Sequence, residues 1–591
     1  MRIEGSAICP AFEEHQTQSV VSVGRDAMLE AAGFGARTGD VLETRLAQGV
    51  ESVGASGDGA GDDQHGGGLT GAVAWHRSRP PRDDTIAVAR PRTAHPTSRM
   101  LRSPLLALVL GFGLLSTARG DESTLALPSA HARLGIERIR FDGDRQRVGL
   151  VGASYLVDIG GLPGVSLGPA VYGAVSGDRG GLFTLGGELA WRQRVFGPVG
   201  VELGIYVGGG GGGGAPQGSG LMLRPHADLV WDLGAVALGL SVSRVRFSNG
   251  LVGSTQIGLV LNASNDFRFI PAERMGDPVF SGGRAGLGFD RVQFVAGVYR
   301  TPAGRLLRDG DPLPRTISLL GIRAEQAWGR NAFWGIEANR AARGGVGGYA
   351  EMLGSAGFET EVVRDSVTLG GRIALGAGGG GGVSTGGGLL AKAAVYGVVR
   401  LSSDLGVSLE AGAARAPNGN FRAVQGSAAL VWALDSPDIG GAAARPSRTD
   451  FSAGAIAHDA RRSDGSTRSL RAITLKVDRF LTPGFYVSGE ALGAAGGNAS
   501  GYSGALVGAG WNQRFGPRFH AGAELLAGAS GGGGVASGGV LFQPRIYAGV
   551  QITPTLALRV GAGRIKTTSG PLDSNFADAS LVFTYGVSAG N

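Results

Sequence analysis

The chain has 591 residues, of which 109 are glycine and 17% are charged. Glycine costs about 1 kcal/mol at each helix position, so this content excludes a mainly helical fold, and no strict three-residue glycine period marks collagen. The net charge of +7 comes without a basic stripe interleaved with aromatics, which leaves nucleic acid no platform.

Residues 1–99 hold four of the eight histidines and the only cysteine, Cys9, and stretches such as HRSRPPRDD show no apolar periodicity. The character changes at Met100. A basic Arg102 precedes an apolar core from Leu105 to Leu115, followed by Ala118 and Gly120 around Arg119. That order predicts a secretory signal peptide over 100–120, cleaved after Gly120. A signal cannot act behind so long a leader. Residues 1–99 are therefore expected to precede the true start, or alternatively to form a disordered tail. The mature chain, 121–591, has no cysteine and suits an exported protein that relies on no disulfide.

Beyond the signal, one segment occurs three times: a glycine run, a spacer and two alternating strands. The runs open at Gly208–Gly214, Gly378–Gly382 and Gly531–Gly534. They divide 121–591 into repeats of about 137–267, 287–435 and 452–588. In the second repeat Leu405, Val407, Leu409, Ala411 and Ala413 share one face. Gly406, Ser408, Glu410, Gly412 and Ala414 share the other. A period of two of this kind is a β-strand. Turns such as Asn-Gly at Gly250 and Gly419 supply the positive φ of tight hairpins. Each repeat has about eight such strands on alternation and turn signals. The stretch 338–358, rich in glycine and alanine, reads as loop or short helix.

A soluble sandwich hides its apolar faces, whereas a membrane barrel turns them to lipid. The polar faces here are small residues with scattered charge, the strands have the ~9–11 residues of a bilayer crossing, and an export signal precedes them. The expected fold is all-β: a transmembrane antiparallel β-barrel of about 24 strands built from three roughly eight-stranded repeats. Three smaller tandem barrels are the alternative. One closed wall is preferred because each separate barrel needs its own closing edge.

Glu410 and Arg559 fall on the polar faces and are candidate lumen charges. Arg246, Arg415 and Lys566 occupy one aligned position just past the apolar part of their strands. They are candidate rim charges, or contacts to an anion or lipid phosphate. Trp191 and Trp511 open the matching segments WRQRVFGP and WNQRFGP and are candidate interface aromatics. The glycine runs read as a flexible turn, as a sharp bend or a place where another backbone approaches closely, or as a smooth lumen wall. No His-x-x-x-His or cysteine pair announces a metal. Gly382-Val-Ser-Thr-Gly386 matches a nucleophile elbow only formally, without a following helix. No catalytic residue, metal or cofactor is expected.

In its signal segment, alternating strands, interface aromatics and final strand (Leu581, Phe583, Tyr585), 100–591 resembles Gram-negative outer-membrane β-barrel proteins. The resemblance implies Sec export, the barrel assembly machinery as a partner, and the outer membrane as location. The glycine run followed by Gln543-Pro544 also resembles, over a few residues, barrels that export polysaccharide. Three functions follow. The first is a passive, porin-like channel with a weak positive bias and no covalent chemistry. The second is an export conduit for polysaccharide with periplasmic partners. The third is a structural barrel whose loops bind partners outside. An open lumen favours the first two, and a lumen packed with side chains the third.

Overall fold

The computed structural model describes residues 128–141, 147–275, 279–280, 289–434, 443–444 and 446–588. The leader and the signal segment lie outside them. Twenty-four long antiparallel strands form three closed barrels of eight. The first runs from Ser129–Arg140 to Gly253–Asp266, the second from Arg291–Arg300 to Arg422–Ala433, and the third from Pro446–Arg461 to Asp573–Ser588. Strand number and the eightfold repeat agree with the sequence reading.

The single wall does not form. In each repeat the last strand pairs with the first: Leu134 opposite Leu261, Val292 opposite Trp432, Phe451 opposite Phe583. The edges that one wall would have joined to the next repeat are consumed within each repeat. The alternative of three smaller barrels is what the chain adopts.

The stretch 338–358 is two strands, Ala332–Arg343 and Ala350–Val363, around the loop 344–349. Its alternation is masked because the outward Arg340 and Ala342 are buried rather than lipid-facing. Arg340 donates to Ser503 Oγ (2.5 Å) and to the Gly531 carbonyl (3.2 Å) of the third barrel.

All three barrels share one polarity. At the end where their first strands begin, turns are as short as 197–198, 329–331 and 516–518. At the other end loops run to 212–221, 301–315 and 380–388, and the glycine runs lie there. A segment after the first barrel returns to the third: Ile270 and Pro271 pair with Gly586 and Tyr585 of the closing strand. Phe267 and Phe269 pack edge-on against Tyr585 and Phe583 at 5.7 and 5.9 Å. The closing strand's aromatics are thus covered by the chain itself.

Candidate functional site

Inward side chains fill each barrel in two layers. At the loop end the layer is apolar. It holds Ile139, Leu150, Tyr206 and Phe247 in the first barrel, Tyr299, Ile317, Tyr349 and Phe421 in the second, and Leu470, Leu492, Tyr502 and Leu541 in the third. Toward the turn end the layer is ionic.

In the first barrel Arg224 grips Glu137 through two bonds of 2.9 Å, and Arg133 grips Asp228 at 2.7 and 3.1 Å. In the second, Arg372 holds Glu410 at 2.7 and 2.8 Å and Glu337 at 2.6 Å. Lys392 lies 3.0 Å from Glu337 and closer still to Glu351. In the third, Arg559 donates to Asp478 (2.8 Å) and Asp450 (3.1 Å) and stacks over Tyr547 at 4.6 Å. Arg545 joins Glu524 (3.1 Å) to Asp578. Eight strands enclose just enough room for side chains to fill, and all of these side chains but the partly exposed Asp578 are buried. Glu410 and Arg559 therefore face inward as the alternation predicts, but each is held in an ion pair and neither lines water.

The outer faces are apolar. Ile257, Leu409 and Ile546, one from each barrel, are 72%, 66% and 68% exposed and lie in bands of similar residues. Contiguous apolar surface of this kind marks a membrane or partner face. Trp191 and Trp511 stand at matching places on fourth strands, opposite Leu203 and Ala523, near the turn end. Exposed Phe196, Trp328, Phe358 and Phe515 lie at the same end. Arg246, Arg415 and Lys566 are exposed on outward faces at the loop end, two residues or fewer from the ends of their seventh strands. Lys566 lies 3.7 Å from Asp573.

The glycine runs are where barrels meet. The loop after each third strand docks on the glycine run of another barrel: 177–182 on the second, 344–349 on the third and 497–502 on the first, so the contacts close a ring. Gly180 N–H donates to the Gly386 carbonyl and Gly501 N–H to the Gly210 carbonyl, both at 3.0 Å. Gly181, Gly348 and Gly501 hold the same place in their loops, at φ of +93°, +92° and +90°. A Cβ on them would fall 2.2 Å from Gly380 N, 2.8 Å from Gly532 Cα and 2.9 Å from Gly212 Cα. Only glycine permits both the conformation and the approach. Of the three readings of the runs, close backbone approach is the one observed. Arg308 reinforces the first seam by donating to the Gly180 carbonyl at 3.0 Å. Burial between these loops pushes its pKa below the usual guanidinium value.

The sequence reading missed these docking loops, whose signal is the recurring glycine one residue before Leu182, Tyr349 and Tyr502. It also missed the partners of the lumen charges, which come from distant strands.

No family model and no curated protein matches the chain. Among solved structures it is similar to OccAB3 of Acinetobacter baumannii, at 10% identity over 78% of this chain and 99% of that one, with a TM-score of 0.19. It is similar to the outer membrane protein opdK of Pseudomonas aeruginosa at 9% identity over 77% and 98%, with a TM-score of 0.21. It is also similar to the siderophore receptor PiuA of Acinetobacter baumannii at 8% over 78% and 82%, with a TM-score of 0.24. Scores this low carry no argument about function. The chain's own geometry defines the class. With closed antiparallel barrels, apolar outer bands and an aromatic end, it resembles Gram-negative outer-membrane β-barrel proteins.

Proposed function

We propose that this is an outer-membrane protein whose three filled barrels form a rigid membrane platform, presenting their loop end to a partner outside the cell. The observation that carries the reading is the double filling of every barrel, an apolar plug over an ionic layer. The channel and export readings both need an open lumen. Short turns belong inside and longer loops outside in barrels of this kind, which sets the glycine end outward. On this reading Trp191 and Trp511 sit at the inner interface, and Arg246, Arg415 and Lys566 meet outer lipid phosphates. Export through the signal at 100–120 and insertion by the barrel assembly machinery complete the proposal, and a mature terminus at Asp121 in mass spectrometry is its first consequence.

The test is conductance of the refolded mature chain in a planar bilayer, with circular dichroism verifying β structure. Folded protein is expected to insert without stable conductance steps. Large, stable steps would overturn the platform reading in favour of a passive channel.

A further inference from the structure

The ionic layer of the first barrel is unbalanced. Four buried carboxylates, Glu137, Glu188, Glu202 and Asp228, share it with two guanidiniums, Arg133 and Arg224. Arg224 satisfies Glu137 and Arg133 satisfies Asp228, as above. Arg133 also lies 3.7 Å from Glu188 and 3.5 Å from Glu202, so one guanidinium is shared among three carboxylates and neither glutamate has a cation to itself. Glu202 is 0% exposed, yet neither of its oxygens accepts a hydrogen bond. Its nearest charged or titratable neighbours, Arg133 Nε and His131 Nε2, stand off at 3.5 Å. His131 Nε2 is itself buried without a hydrogen-bond partner. A buried carboxylate left so costs free energy unless something binds it.

His226 completes the group. Its Nε2 lies 3.1 Å from Glu188 Oε1 and its Nδ1 lies 3.1 Å from Asp228 Oδ1. One donor atom from each of Glu188, Glu202 and His226 falls within 4.8 Å of the others. We propose that these three residues bind a divalent transition-metal ion of the zinc class inside the first barrel, with His131 beside Glu202 as a fourth donor.

Three arguments support the assignment. Four carboxylates against two guanidiniums leave an excess of two negative charges in the layer, which a divalent ion cancels. Imidazole and carboxylate together suit zinc and its neighbours at about 2.0–2.2 Å, whereas calcium takes oxygen alone. Such bonds set tetrahedral ligands about 3.3 Å apart, so His226 and Glu188 are already placed and Glu202 moves in by an ångström or so. Asp228, accepting Nδ1–H, would fix the tautomer that turns the Nε2 lone pair to the ion, as outer carboxylates do in zinc sites.

The repeats provide an internal control. Glu188 lies three residues before Trp191, as Gly508 lies three before Trp511. Glu202 pairs across to Asp228 as Gly522 pairs to Tyr547 and Gly370 to Tyr396. The positions equivalent to Glu188, Glu202 and His226 are Gly508, Gly522 and Arg545 in the third barrel, and Ser355, Gly370 and Ala394 in the second. One repeat of three has acquired every donor together, on three different strands.

The test uses the full chain refolded in detergent, stripped with chelator and titrated with Zn2+ or Co2+ alone. One ion per chain is expected, with Co2+ absorption bands of a low-symmetry nitrogen–oxygen site. Glu202→Gln and His226→Gln should weaken binding at least 100-fold, and Asp228→Asn 10–100-fold, the range for outer-shell partners. Glu490→Gln in the third barrel should change nothing. Absence of stoichiometric binding, or unchanged binding in Glu202→Gln, overturns the proposal in favour of protonated histidines balancing the layer. Should a variant fail to refold, X-ray absorption of Zn2+ on the unaltered chain decides: an imidazole-containing shell supports the site, and a shell of oxygen alone refutes it.

Discussion

Arg559→Ala tests whether the barrels are filled and dry. Arg559 bridges Asp478 and Asp450, and all three are at most 1% exposed. Removing one partner of a buried ion pair costs about 3–5 kcal/mol because the other charge stays buried. Both aspartates keep some support. Arg448 and Thr584 donate to Asp450, and Ser488 donates to Asp478 with Lys476 3.3 Å away. The loss should therefore fall at the low end, near ~3 kcal/mol. With a urea m-value of about 2 kcal/mol/M, that lowers the midpoint by about 1.5 M. Trp511 is the only tryptophan within 446–588, so its fluorescence, with the other tryptophans changed to phenylalanine, reports the third barrel alone. Arg564→Ala, which breaks the exposed pair with Asp573, is the control and should leave the midpoint unmoved. An ion pair bathed in water is worth only about 0–1 kcal/mol. A loss below ~1 kcal/mol for Arg559→Ala would show that water reaches the layer, and the filled-barrel argument would fail with it.

Three further outcomes follow from the same geometry. Gly501→Val should separate the third barrel from the first without loss of β structure. In a Cys9→Ser background, a short thiol cross-linker should join Gln217→Cys to Ser500→Cys, whose native side chains lie 2.8 Å apart, and fail once Gly501→Val is added. Single-tryptophan chains carrying Trp191 or Trp511 should be quenched more by lipids brominated near the head group than by lipids brominated at mid-chain. Equal quenching would remove both from the interface. Changing Arg246, Arg415 and Lys566 together to glutamate should lower retention of anionic over zwitterionic lipid, at about 1 kcal/mol per charge, as read by native mass spectrometry. Unchanged retention would leave them as solvated strand ends.

The strands were legible because a period of two is local. Leu405 to Ala414 declares both its faces without any partner, and the inward side of Glu410 and Arg559 follows from parity alone. Closure was not legible, because pairing Val292 with Trp432 depends on a register set across the whole repeat. The candidate metal group was hidden for a similar reason. Glu188, Glu202 and His226 are far apart in sequence and meet only when hairpin register sets Glu202 opposite Asp228 and Gly204 opposite His226. Only His226 and Asp228, two apart on one strand, give a local sign of it. The glycine runs were visible as repeats, but their meaning lay in loops more than a hundred residues away.

The ion pairs explain why the chain closes three times. Glu137 and Arg224 sit on the first and sixth strands of their repeat, Arg133 and Asp228 likewise, and Asp478 and Arg559 on the second and seventh. Such strands are not neighbours, so these side chains meet only across a narrow lumen. In a wall of about 24 strands the interior would be too wide for side chains to fill, and every one of these charges would lose its partner. Each repeat therefore encodes its own closure through complementary charges facing inward, and this removes the edges by which repeats might pair as one sheet. Contact between barrels then has to be made without strand pairing. Glycine-on-glycine backbone contact does this at the loop end, where Gly181, Gly348 and Gly501 each admit another barrel's main chain and a single methyl group would hold it off.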